Sequence, residues 1–173
     1  YDAINHGLDH NKPLTNISLP KTLDFKIHKA TFVTINKNGE LRGCIGTMEP
    51  RAPLAEDIAK NAYHAAFKDP RFPPLTKGEL NDINIDISVL SSMTPIQFLS
   101  EQDLLEQLRP NIDGLFLIEG NHSGTFLPSV WEMLPDKQKF LNQLKNKAGL
   151  PSHYWSDTLQ ILRYHTISFG DTE

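Results

Sequence analysis

Cys44 is the only cysteine in a chain of 173 residues, and it stands in the hexapeptide Leu41-Arg42-Gly43-Cys44-Ile45-Gly46. A thiol set among two glycines and an arginine has the parts of a nucleophilic or redox site. A guanidinium that meets a sulfur favours the thiolate, which is the reactive form. Glycine lets another backbone or a ligand come close, because no Cβ stands in the way. Backbone N–H groups near Gly43 and Gly46 would then cradle a small anion or oxyanion. Cys44 and Arg42 are accordingly the candidate catalytic pair. The opposing reading is an inert cysteine buried in a glycine-rich hairpin, since free cysteine is among the residue types most often buried.

Three further segments carry groups able to act on a ligand or partner. Asp69-Pro70-Arg71-Phe72 is a compact polar turn. Asp69 and Arg71 either anchor that turn through backbone hydrogen bonds, the favoured reading, or present charge to a ligand. Thr125, in Gly124-Thr125-Phe126-Leu127-Pro128, offers a hydroxyl beside the thiol if the two glycine-bearing strands pack together. His64 is a candidate base for Cys44, set against the commoner case of a histidine on a helix surface. Trp131 and Trp155 read as core aromatics. Phosphate-loop, dinucleotide, zinc-protease and serine-hydrolase patterns are all missing, and none of the seven histidines is read as a metal ligand. Neither a metal nor a cofactor is called for.

The elements that position these residues follow from local pattern. Residues 31–35 are β-branched and aromatic, and Asn38-Gly39 is a strong hairpin signal, so residues 41–45 form the returning strand. Alternation would put Leu41, Gly43 and Ile45 on the core face and Arg42 with Cys44 on the other, unless a bulge at Gly43 intervenes. Pro53, Glu56 and Asp57 open a helix that Asp69-Pro70 ends. Ile83, Ile85, Ile87 and Val89 alternate with polar residues as in a half-buried strand. A short helix spans 101–108, strands cover 115–118 and 124–127, and a helix runs over 137–147. Residues 159–169 read as one closing strand. Residues 1–8 suggest the end of a helix and 11–24 a loop. A strand-turn-strand-helix order recurs at a period of about 80 residues. The expected fold is therefore α+β: a mostly antiparallel sheet with flanking helices, duplicated as two lobes of a single domain spanning 1–173.

Composition narrows the class. Apolar residues make up 39% and charged residues 22%, and the net charge is −4, with basic residues scattered. That profile fits a soluble globular chain and argues against general nucleic-acid binding. No apolar run reaches membrane-spanning length, and a single cysteine suits a reducing cytoplasm.

The hexapeptide, Ala66-Phe67-Lys68-Asp69-Pro70-Arg71-Phe72-Pro73-Pro74-Leu75, Asp113-Gly114, Gly124-Thr125-Phe126-Leu127-Pro128-Ser129-Val130-Trp131 and Ala148-Gly149-Leu150-Pro151 carry a resemblance. The chain resembles the AMME-syndrome candidate-gene domain family, whose bacterial and archaeal members are called AmmeMemoRadiSam system protein A. The matching motifs begin near Ala30, and residues 1–29 match poorly. The resemblance implies a duplicated α+β layout and no established reaction. It implies work beside a Memo-like protein and a radical S-adenosylmethionine enzyme, in a shared modification or redox pathway centred on Cys44. The alternative is a non-catalytic module that docks a partner through its glycine-rich surface.

Overall fold

The computed structural model describes residues 1–15, 17 and 27–171. They form two compact units, one of residues 1–90 with 167–171 and the other of residues 91–166. The expected loop over 11–24 lies partly outside the described residues. Four helices and eight strands occur among the described residues: α1 Asp2–His10, β1 Thr31–Lys37, β2 Glu40–Gly46, α2 Leu54–Phe67, β3 Ile83–Leu90, β4 Thr94–Pro95, α3 Glu101–Gln107, β5 Gly114–Glu119, β6 His122–Phe126, α4 Lys137–Lys147, β7 Gln160–Tyr164 and β8 Thr166–Gly170.

The first unit is built on a sheet of order β2-β1-β3-β8. Asn38 and Gly39 both take positive φ, 52° and 81°, the geometry that lets a two-residue turn match the twist of its strands. β1 pairs antiparallel with both β2 and β3, setting Val33 opposite Ile45 and Ile87, and Ile35 opposite Gly43 and Ile85. Val33, Ile35, Ile83 and Ile85 are buried with Ile4 of α1 and with Ala59, Ala62, Ala65 and Ala66 of α2. Alanine on that face of α2 lets the helix lie close to the sheet. A second contact fastens the helix. Asp57 is buried, and its carboxylate accepts from Thr31 Oγ1 (2.6 Å), Thr47 Oγ1 (3.1 Å) and Asn61 Nδ2 (3.0 Å). Asp57 was expected only to complement the helix dipole; its larger part is to tie α2 to β1 and to the end of β2.

The second unit has the order β4-β7-β5-β6 around Leu104, Leu115, Leu117, Trp131, Phe140, Leu141, Leu144 and Ile161. Trp131 is a core residue, as expected: its ring stacks on Phe140 at 3.6 Å and its Nε1 donates to the Asp113 carbonyl. The duplication is real at the level of topology. In each sheet a hairpin (β1-β2, β5-β6) is followed by a helix (α2, α4) and by a strand pairing with the hairpin's first member (β3, β7). The outer strands are exchanged: β4, which follows β3, joins the second sheet, and β8, which follows β7, joins the first. This corrects the expectation of one closing strand over 159–169. The run divides at His165 into two strands of different sheets. The α+β class with mainly antiparallel pairing stands as expected.

Candidate functional site

β2 is the edge strand of the first sheet, so every second N–H and C=O along it lacks a strand partner. Its pairing with β1 carries a bulge. Ile35 faces Gly43 and Asn36 faces Leu41, which leaves Arg42 as the extra residue. The bulge lies one residue before the position considered from sequence. It turns Leu41 off the core face, to 42% exposure, while Gly43 and Ile45 keep to that face. Both glycines of the hexapeptide are packing positions. A Cβ on Gly43 would stand 2.2 Å from the Ala65 carbonyl oxygen of α2, and one on Gly46 would enter the Phe32 ring.

Cys44 is half-buried on the opposite face, level with Thr34. Its Sγ accepts from Thr34 Oγ1 at 3.4 Å. The strand's free edge is covered here by the turn after α2. Asp69 Oδ2 accepts the Cys44 N–H at 2.9 Å, and Arg71 Nη2 donates to the Cys44 carbonyl at 3.3 Å. The same carboxylate holds Arg71, accepting from its Nη2 (2.7 Å), Nε (2.9 Å) and backbone N–H (3.1 Å). One buried acid thus supplies an acceptor where a neighbouring strand would have done so, and it aims an arginine at the carbonyl of the same residue. The Arg71 bonds hold the Asp69 carboxyl far below the usual carboxylate range, outweighing burial, with the Cys44 N–H adding to the effect. Arg71 is itself raised, first by its bonds to Asp69 and in smaller part by the nearby Cys44 sulfur.

Arg42 does not take the place expected of it beside the thiol. Its Nε and Nη2 donate to the two Glu79 carboxylate oxygens at 2.9 and 3.2 Å. Glu79 also accepts from Lys37 Nζ at 3.2 Å and caps the 3-10 turn Lys77–Glu79 through Thr76. Arg42 Nη1 is buried with no hydrogen-bond partner. The arginine that reaches Cys44 is therefore Arg71. Both guanidiniums lie within 6.0 Å of the Phe72 ring centre. Glu79 was missed in the sequence reading, although Thr76-x-x-Glu79 is a capping-box pattern that could have marked it.

Asp69 and Glu79 make an acid-sensitive pair. The Glu79 carboxyl is held well below its ordinary value, chiefly by Arg42, then by Thr76 and Lys37, against the opposing effect of burial. A carboxylate depressed in the folded state contributes stability that is complete above the unfolded-state value of about 4 and is lost as pH falls towards the folded value. Urea midpoints should therefore drop steeply from about pH 4.5 down to about pH 2. Glu79→Gln should be less stable near neutrality and show a shallower drop. Equal slopes in the two proteins would remove Glu79 from this account.

His64 lies on α2, its ring tilted against Tyr63 at 5.8 Å, and no hydrogen bond joins it to Cys44. Burial, then Lys60 and Lys68, lower its pKa. Thr125 belongs to the second unit, where its hydroxyl donates to the Leu115 carbonyl (2.8 Å) and shares a 2.7 Å bond with the Tyr164 hydroxyl. It occupies the place in β6 that Cys44 holds in β2, one residue after a glycine lying under the following helix. Among the described residues no three His, Cys, Asp or Glu side chains are grouped to hold a metal ion, and no helix is long and apolar enough to cross a membrane.

The AMMECR1 family profile matches residues 1–169, which includes the segment before Ala30 where no motif was legible. A Methanothermobacter thermautotrophicus protein is 39% identical over 167 residues, covering 94% of this chain and 87% of that protein. A Thermotoga maritima protein is 40% identical over 149 residues, covering 85% of this chain and 80% of its own. The crystal structure of the uncharacterised protein PH0010 from Pyrococcus horikoshii superposes with a TM-score of 0.88 at 31% identity, over 98% of this chain and 86% of that one. With its duplicated hairpin-helix topology, the chain belongs to the AMMECR1 family.

Proposed function

We propose that Cys44 is the working group of this protein, acting as a thiol in a modification or redox pathway beside a Memo-like protein and a radical S-adenosylmethionine enzyme. The observation that carries this reading is the clamp on Cys44. Asp69 fixes its amide and Arg71 its carbonyl, while Thr34 donates to its sulfur. Such a clamp holds a nucleophile in one orientation and sets a permanent cation near it. The step is substitution at sulfur. Cys44 Sγ attacks an electrophilic carbon or a disulfide sulfur, an S–C or S–S bond forms, the leaving group departs with the electron pair, and the thiol proton passes to solvent. Arg71 takes the charge-stabilising role first assigned to Arg42. Near neutral pH, iodoacetamide should add once to the native protein, not at all to Cys44→Ser, and several-fold more slowly to Arg71→Gln. A thiol that resists alkylation until the chain unfolds would overturn the reading.

The second reading, a docking module, is favoured by one observation. Arg71 is 54% exposed and the adjoining Pro73 and Pro74 are exposed, so this turn offers a contact surface. The glycine-rich surface first considered is less suited, since Gly43 and Gly46 are packed internally. Binding of a Memo-like partner that survives Cys44→Ser but is lost in Arg71→Ala would decide for docking.

A further inference from the structure

In the second unit, three basic side chains gather on one buried carboxylate. Asp113 is fully buried, just before β5. Arg109, from the turn after α3, donates to it through Nη2 at 2.7 Å and Nε at 3.2 Å, and its backbone N–H donates at 3.1 Å. Arg163 of β7 brings Nη1 to 3.5 Å from Asp113 Oδ2, and His165 brings Nδ1 to 4.0 Å from Oδ1. Arg163 Nη1 also donates to the Gln107 carbonyl at 3.5 Å, and His165 Nδ1 lies 3.3 Å from the Ile112 carbonyl. Among the described residues no other carboxylate pairs with any of the three.

The charges do not balance. One carboxylate faces two permanent cations and an imidazole, in a protein whose net charge is −4. Like charges held this close repel unless an anion joins them. The donors are also unevenly used. Arg109 turns one edge of its fork to Asp113, Arg163 engages Asp113 and Gln107 through Nη1 alone, and the side chains of Arg109 and His165 are 46% and 51% exposed. A buried acid that holds two arginines, with the Arg109 and His165 side chains half-exposed beside it, is an arrangement suited to tetrahedral oxyanions. Asp113 already fills the planar, bidentate place that a ligand carboxylate would take on Arg109.

We propose that Arg109, Arg163 and His165 form a binding site for the phosphate group of a small phosphorylated molecule, with Asp113 as the positioning residue. A phosphate group brings the negative charge that Arg163 lacks and an acceptor for His165, Arg109 being balanced by Asp113. The site is independent of Cys44. The test is a titration of the full chain with inorganic phosphate at constant ionic strength, followed by backbone amide chemical shifts. The expected result is a saturable shift confined to residues near 109–113 and 163–165. Acetate should give no saturation. Arg163→Gln should weaken phosphate binding about tenfold, the usual effect of losing one charged hydrogen bond, and His165→Gln, a change at a half-exposed ring, should weaken it less while leaving the fold intact. A linear drift shared by phosphate, acetate and chloride would overturn the proposal, as would saturable binding unchanged in both variants.

Discussion

Alanine at position 43 is expected to destabilise the protein by about 3 kcal/mol, read as a fall in the urea midpoint at unchanged slope. The added methyl would lie 2.2 Å from the Ala65 carbonyl oxygen and 3.1 Å from the Ala65 carbonyl carbon. Both are backbone atoms of α2, so no rotamer change relieves the clash and the helix must shift away from β2. That movement would loosen the alanine-lined contact burying Val33 and Ile35, and it would strain the Asp57 bonds to Thr31 and Thr47. The origin of the effect has its own check. Because the obstructing atom is a carbonyl oxygen, Ala65→Gly should not rescue Gly43→Ala. Rescue, or an unchanged midpoint in the single variant, would show that the close approach of α2 does not matter to stability.

Asp69→Ala is expected to cost about 3 kcal/mol as well, because it removes one buried acceptor from four donor groups. It strips the Cys44 N–H, the Arg71 backbone N–H and the Arg71 guanidinium of a common partner. The consequence is local as much as global. With the edge of β2 uncovered, the Cys44 amide should exchange with solvent about a hundredfold faster than in the parent protein, while amides of β5 and β7 keep their rates once the global loss is allowed for. Asp69→Asn should fall between the two, since its carboxamide oxygen can still accept from Cys44 but lacks the charge that holds Arg71. A Cys44 amide whose exchange is unaffected in Asp69→Ala would mean that the turn does not cover this edge.

These two sites differ in how far they could be read from the chain. The hairpin around Asn38-Gly39 and the alternation of Ile83, Ile85 and Ile87 were legible because a turn type and a period of two are set by neighbouring residues. The helix over 137–147 was legible for the same reason, Phe140, Leu141 and Leu144 falling on one buried face and Gly149 following its end with a positive φ of 82°. The bulge was not. Leu41 is apolar, so the pattern Leu41, Gly43, Ile45 suits a regular strand, and only the pairing with Asn36 shows that Arg42 is extra. Nor was the division at His165, since the alternation of 159–169 runs through the point where the chain changes sheets.

By itself the sequence determined the α+β class, most of the elements, the family and the short motifs in which the chemistry-bearing residues lie. Tertiary structure decided which of those residues meet. Arg42 is two positions from Cys44 yet binds Glu79, 37 positions away, while Arg71 reaches Cys44 across 27 positions. Closeness in sequence has little force here because a bulge redirects the nearer side chain and a buried acid, Asp69, captures the farther one. A carboxylate taken out of water is held by whichever donors the fold places around it, and that placement depends on how α2 and its following turn lie against β2.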